Sequence, residues 1–155
     1  MDDVAVARAI HVLAVVVWIG GVAMVTAVIL PLALKSPDGV RLAAAVEARF
    51  GRIAQAATLL AGLSGLHMTA RLDLWGRFAD PAYWWMHAMV GLWLVFTAIL
   101  FVAEPLFLHR WFEARARYDP IGTLLLVRRF HWVLLTLSLI TVFGAVAGSH
   151  GLFLF

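Results

Sequence analysis

Histidine is the residue type in this sequence with the widest chemical use. The chain has 6 histidines and no cysteine, which excludes disulfides, iron–sulfur clusters and thiolate metal sites. Imidazole is therefore the one strong nitrogen ligand left, and it suits haem iron, copper and zinc. Five of the histidines lie inside stretches that lack Asp, Glu, Lys and Arg: His131 and the four candidate ligands His11, His67, His87 and His150.

These stretches predict the elements that position the histidines. The chain is 64% hydrophobic and 14% charged, against about 25% charged residues in a soluble domain. The uncharged stretches, 9–34, 53–70, 81–103 and 130–155, approach or exceed the roughly 18 to 20 residues that cross a bilayer. We expect an all-α membrane protein, with a single transmembrane domain over 1–155 and helices at about 5–34, 43–71, 82–116 and 121–152.

Basic residues predict the orientation, since cytoplasmic connections accumulate Lys and Arg. Of the 12 basic residues, nine fall on one predicted side: Lys35, Arg41, Arg49, Arg52, Arg110, Arg115, Arg117, Arg128 and Arg129. The other side has three: Arg8, Arg71 and Arg77. The expected fold is an up-and-down bundle of four transmembrane helices in a bacterial inner membrane, with both termini on the outer, periplasmic side. The same topology explains the net charge of +3 without nucleic acid.

On this topology each helix contributes one histidine at a similar depth near the outer face. Histidines in membrane segments are rare and usually face a bundle interior, a cavity or a ligand. Haem b, one or two copies, is the first candidate cofactor, because imidazoles on facing helices can ligate iron axially. Copper is the alternative. A purely structural role through interhelical hydrogen bonds is the third explanation.

Residues near the histidines fit a porphyrin. Trp18 returns to the face of His11 after seven positions, and Gly91 to that of His87 after four. Gly21 and Gly65 are further candidates for lining a slot, although small residues also serve close helix packing. Arg8, Arg71 and Arg77 could pair with propionates.

A second site on the inner side is conceivable at His109 and His131. His87 and His109 are separated by roughly 33 Å of helix, which places His109 at or beyond the inner boundary. The alternative is an interfacial pair that contacts lipid phosphate beside Arg110, Arg128 and Arg129. Glu104, which precedes Pro105, is expected to form a structural ion pair with Arg128, Arg129 or His131. A proton relay is the less favoured role for Glu104.

Short motifs add a family resemblance. Ala9-Ile10-His11, with Trp18 and Gly20-Gly21, resembles the first helix of HemJ-type protoporphyrinogen oxidases and CopD-like copper-resistance membrane proteins. The stretch 84–89 resembles the Trp-x-His-x-Lys motif of HemJ, with Met89 in place of the lysine. The resemblance implies a b-type haem at His11 and His87. Met89 cannot supply the charge or proton of that lysine, which argues against protoporphyrinogen oxidation.

The sequence therefore favours a haem membrane protein that moves electrons, with quinol or another redox partner at the outer face. Whether it is an enzyme or a carrier stays open. The alternatives are a CopD-like copper transport or delivery protein and a structural anchor subunit of a redox complex. The lipid bilayer is the certain partner, and a homo-oligomer is a further expectation.

Overall fold

The structure, a computed structural model, describes residues 2–152. It has four long helices: α1 (Asp2–Ala33), α2 (Gly39–Arg71), α3 (Pro81–Tyr118) and α4 (Pro120–Ser149). A 3₁₀-helix, Leu74–Ala79, lies in the connection between α2 and α3. All regular secondary structure among the described residues is helical, as the sequence predicted.

Prolines and acidic caps fix where α3 and α4 begin. The Asp80 carboxylate accepts a hydrogen bond from the Ala82 N–H at 2.9 Å, and the Asp119 carboxylate accepts one from the Gly122 N–H at 2.8 Å. Pro81 and Pro120 follow these caps, where a missing N–H costs nothing. Asp119 is therefore the whole connection between α3 and α4, so the two helices form a tight hairpin.

The end of α4 falls at Ser149, three residues before the predicted 152. Gly151 has a φ of 89°, which an L side chain rarely adopts. The Leu152 N–H donates to the Ala147 carbonyl at 3.0 Å and the Gly151 N–H to the Gly148 carbonyl at 3.1 Å. These bonds form a Schellman motif, which satisfies the last carbonyl groups and stops the helix.

Two helices contain π-helical segments next to prolines. Val25–Ile29 in α1 comes just before Pro31, and Ile99–Leu108 in α3 contains Pro105. Proline removes a backbone donor and disturbs the normal hydrogen-bond ladder, and a wider turn accommodates it. In α3 the Leu100 carbonyl accepts a hydrogen bond from the Gln55 side chain at 2.9 Å. The segment thus has a polar contact with α2.

The core is shared by all four helices. One cluster surrounds Trp18 and a second surrounds Leu30, and each helix contributes buried residues to both. Many of these buried residues are small; for example, Ala57 and Ala61 of α2 belong to the cluster around Trp18. Close approach through small residues is how helices associate in lipid, where apolar burial gives no driving force.

Three helices are long and apolar enough to cross a membrane: α1, α3 and α4. Large apolar side chains such as Leu13 and Phe143 are each 64% exposed, which is compatible with lipid contact. Together these features indicate a membrane protein. Helix α2 has 33 residues but is not among the three, because polar residues such as Gln55 and His67 lower its hydropathy. Its role as a fourth span stays a prediction.

Candidate functional site

Helix contacts define two ends of the molecule. The Arg71 Nε donates to Asp3 Oδ2 at 2.8 Å, which places the start of α1 beside the end of α2. An added Cβ at Gly144 would lie 2.5 Å from the Trp84 ring, so the start of α3 lies beside the end of α4. We call this the histidine end, since it holds His11, His67, His87 and His150. The opposite end, with the connections 34–38 and 119, is the basic end.

His11 has the best defined orientation of the four. Its Nδ1 lies 2.9 Å from the Ala61 carbonyl oxygen and 3.2 Å from Ser64 Oγ. A carbonyl oxygen only accepts, so we assign the hydrogen to Nδ1 and the lone pair to Nε2. Metal-bound histidines are held in this way, with the second ring nitrogen donating to a carbonyl. Nε2 has no hydrogen-bond partner among residues 2–152.

His67 belongs to a surface ion-pair cluster. Its Nε2 lies 3.5 Å from Asp3 Oδ2, the same oxygen that accepts from Arg71, and all three side chains are about half exposed. These contacts explain the positions of the His67 and Arg71 side chains without a cofactor. The cluster also ties α1 to α2 at the histidine end.

His87 is exposed and contacts an aromatic neighbour. Its ring packs edge-on against Phe78, with ring centroids 5.3 Å apart. Within the described part of the chain neither ring nitrogen has a hydrogen bond. Gly91, one turn further, faces open space, with no atom within 4 Å of a Cβ placed there. His87 and Gly91 thus share an uncovered face of α3.

His150 follows the last residue of α4 and bonds within its own turn. Its Nδ1 lies 2.8 Å from the Val146 carbonyl oxygen and 3.3 Å from Ser149 Oγ. The four histidines share an end of the molecule, but they do not converge on one point. Among residues 2–152 no group of three or more His, Asp or Glu side chains is placed to hold a metal ion.

Trp18 is a core residue with one unsatisfied atom. It is 4% exposed, and its ring meets Phe96 edge-on at a centroid distance of 4.7 Å. Its Nε1 is buried and has no hydrogen-bond partner in the described part of the chain. A buried N–H left without an acceptor costs about 1–3 kcal/mol. Such an atom would be satisfied by a bound group that offers an acceptor.

The candidate glycines differ in whether a neighbouring side chain occupies the space that a Cβ would take. The Phe50 ring occupies the space of a Cβ at Gly21. At Gly65 an added Cβ would lie 3.3 Å from His11 Cε1, so this glycine makes room for the imidazole. Close helix packing explains both, whereas Gly91 stays open.

Two of the candidate arginines lie outside the ion-pair cluster. The Arg77 guanidinium lies over the Tyr83 ring, 4.9 Å from its centroid. Arg8 is exposed on the first turns of α1. Both are therefore available for an anionic group at the histidine end.

The two histidines toward the basic end each pair with a carboxylate. His109 Nε2 lies 3.4 Å from Glu113 Oε1 on the same helix. His131 Nε2 lies 3.9 Å from Glu47 Oε1 on α2, and its Nδ1 lies 2.9 Å from the Val127 carbonyl oxygen. In the described residues the two imidazoles do not face each other, and we assign neither as a metal ligand.

Glu47 was not predicted as a site residue. The signal for it lies in helical spacing: Ala43, one turn before, is 1% exposed, and a Cβ added at Gly51, one turn after, would lie 3.3 Å from Glu104 Oε1. A carboxylate one turn from a buried small residue and one turn from a glycine beside another helix faces that neighbouring helix. Gln55 and Ser64 of α2 also make interhelical contacts, with the Leu100 carbonyl of α3 and with His11 of α1.

Comparison of the chain with protein-family models, with curated proteins and with solved structures finds no match.

Proposed function

We propose that this protein binds a b-type haem at the histidine end, where His11 would hold it, and serves electron transfer in a membrane. The orientation of His11 carries the proposal. Its Nδ1 is held by the Ala61 carbonyl, so Nε2 offers a lone pair for iron. We propose His87 as a second residue that would hold the group, because its nitrogens have no hydrogen bond among residues 2–152 and its neighbour Gly91 is open.

Other residues of the chain would hold and shield the group. Trp18 would close the core side of the site, and its unpaired Nε1–H could donate to an acceptor. Arg8 and Arg77 could pair with propionates at the exposed rim. A bound b-type haem supplies one-electron redox chemistry, and the protein sets its access and potential.

The proposal includes the finer topology. We propose that α2 is a fourth span, that the four helices form an up-and-down bundle, and that both termini face the periplasm of a bacterial inner membrane. The antiparallel contacts of α1 with α2 and of α3 with α4 support the bundle. The excess of basic residues at the basic end supports the orientation. Quinol is the proposed electron donor, at the outer face.

The alternatives draw less support from the contacts. A copper site needs several ligands on one ion, and among residues 2–152 no group of three or more His, Asp or Glu side chains is placed for one. A haem can be held by a single histidine. A purely structural role suits His67 and His150, whose nitrogens are engaged by Asp3 and Val146. A purely structural role does not account for the oriented Nε2 of His11 or for the unpaired Nε1 of Trp18.

The decisive measurement is a reduced-minus-oxidised absorption spectrum of the protein purified in detergent after expression with ample haem. We expect the sharp bands of a b-type cytochrome. His11→Gly should abolish them, and added imidazole should restore them in part by taking the vacated position.

His150→Gly is the matched control, because this exposed histidine bonds only within its own turn, and it should leave the spectrum unchanged. A wild-type protein without b-type bands would overturn the haem proposal. Unchanged bands in both His11→Gly and His87→Gly would overturn the ligand assignment.

A further inference from the structure

Three helices bring ionisable side chains together toward the basic end. Glu47 of α2 faces His131 of α4, with Oε1 and Nε2 3.9 Å apart. Glu104 of α3 lies against α2 one turn further along, where its Oε1 would be 3.3 Å from a Cβ at Gly51. The next turn of α2 adds Gln55, which is bonded to the Leu100 carbonyl. We call Glu47, Glu104 and His131 the inner cluster.

The hydrogen bonding of His131 constrains the protons of this cluster. Its Nδ1 lies 2.9 Å from the Val127 carbonyl oxygen, so Nδ1 must carry the hydrogen. Nε2 then either bears a lone pair or takes a second proton. With Nε2 unprotonated and Glu47 ionised, two acceptors would face each other with no hydrogen between them. One added proton, on the imidazole or on the carboxyl, removes this conflict.

The surroundings of Glu47 also favour an added proton. Among the described residues no Lys or Arg lies within ion-pair distance of Glu47 or Glu104. The charged or titratable groups that face Glu47 are His131 from α4 and Glu104 from α3. Beyond them, His109 lies near Glu104, and Glu113 lies beside His109. Two carboxylates without a cation disfavour double ionisation.

Glu47 lies in the amphipathic part of α2 that precedes the uncharged stretch 53–70. Burial raises the pKa of its carboxyl to about 7, and the neighbouring Glu104 carboxylate adds to the effect. The side chains of Glu47 and His131 are 37% and 21% exposed. The pair is therefore shielded from bulk water but can still exchange with it.

We propose that the inner cluster is a proton-binding site, in which one exchangeable proton resides on Glu47 or on His131 and Glu104 sets the affinity for it. The ligand is a proton, since Glu47 and His131 are titratable groups whose oxygen and nitrogen atoms face each other. The site would exchange its proton with the aqueous phase at the basic end. This proposal does not depend on haem.

Infrared difference spectroscopy of the detergent-purified protein tests it directly. We expect a carboxylic-acid C=O band that disappears as the pH rises through about 7, the pKa expected for Glu47. Glu47→Gln should remove that band. Glu104→Gln should keep it but move its midpoint to lower pH by about one pH unit, because a like charge has been deleted.

Glu113→Gln is the matched control, because Glu113 also pairs with a histidine but lies exposed on a single helix. It should leave the band and its midpoint unchanged. Should Glu47→Gln fail to fold, the shift in Glu104→Gln still decides the question. A wild-type protein without a titrating carboxylic-acid band overturns the proposal, and so does a band that survives in Glu47→Gln.

Discussion

Two side chains, one partly buried and one in the core, show how single atoms limit what this protein can bind. His11 uses its Nδ1 to hold α2, which leaves Nε2 without a partner in the described residues. Trp18 is almost fully buried, yet its Nε1 donates to nothing there. Apolar surroundings make an unmet donor costly. Both atoms therefore point to a bound group or a bound water.

Trp18 permits a test at this scale by two substitutions. Trp18→Ala should lower the free energy of unfolding by about 3–5 kcal/mol, as is usual when a large buried aromatic is removed. Trp18→Phe should lose less than about 1.5 kcal/mol. It keeps a ring against Phe96 and removes an unpaired N–H. Thermal or denaturant unfolding in detergent, without added haem, measures both. Equal losses would mean that the indole N–H has a hydrogen-bond partner.

The helices approach each other through glycines that receive aromatic rings. Trp93 of α3 lies over Gly62 of α2, and its Nε1 donates to the Thr58 carbonyl at 2.9 Å. Trp84 and Trp85 lie over Gly144 and Gly148 of α4 in the same way. Such contacts combine close packing with a few hydrogen bonds, which is the means of helix association available in lipid.

Gly62→Ala should therefore destabilise the protein, since the new Cβ would lie 2.5 Å from Trp93 Nε1. The Trp93 ring would have to move and give up its bond to Thr58. We expect a loss of about 1–3 kcal/mol. Gly91→Ala is the control: its Cβ meets open space, and alanine favours a helix by up to about 1 kcal/mol. Unfolding in detergent should rank Gly91→Ala at or above the wild type. The reverse order would contradict the packing.

Gly62 and Gln55 lie two turns apart on α2, and both contact α3. If the two contacts act independently, the losses in unfolding free energy caused by substituting each residue should add in the double variant.

At the scale of the whole molecule, the charge is distributed between two ends. Glu47, Glu104 and His131 lie toward the basic end and the oriented His11 lies at the other. If α2 is a span, the proposed proton site and the proposed haem site would lie on opposite sides of one membrane. An electron and a proton could then reach the protein from different compartments.

The absence of cysteine allows the topology to be tested with single engineered thiols. Ser36→Cys lies in the α1–α2 connection, and Gly76→Cys lies between α2 and α3 with open space around it. In intact spheroplasts a membrane-impermeant maleimide should label Gly76→Cys alone, and permeabilised cells should label both. Labelling of both variants in intact spheroplasts would mean that α2 does not cross the membrane.

The pH dependence of stability also belongs to the whole fold. The pKa of Glu47 is raised from 4.5 to about 7 in the folded protein, chiefly by burial. The folded state therefore binds more protons than the unfolded state between these values, and its stability should fall as the pH rises through that window. In Glu47→Gln the unfolding temperature should fall less as the pH rises through this window, whereas Glu113→Gln should behave like the wild type. A wild-type unfolding temperature that is constant over the window would contradict the raised pKa.

Much of this molecule follows from the sequence because the membrane constrains it strongly. Uncharged stretches of spanning length predict helices, since a chain in lipid must satisfy its backbone internally. Asp-Pro at 80–81 and at 119–120 marks two helix starts through capping and a fixed φ. Histidines near the ends of antiparallel helices must then share an end of the molecule.

Side-chain partners depend on which faces of the helices meet, and only the tertiary structure decides that. Depth alone suggested that His11, His67, His87 and His150 act together. The packing instead holds His11 against Ala61, turns His67 to Asp3 and leaves His87 beside Phe78. The pairing of Glu47 with His131 is visible only in the tertiary structure, where α4 places His131 across from Glu47. The sequence determined the helices and the level of each residue along them, because those follow from local composition and period. The rotational orientation of each helix about its axis depends on packing, because the contacts between aromatic rings and glycines join residues that are far apart in the chain.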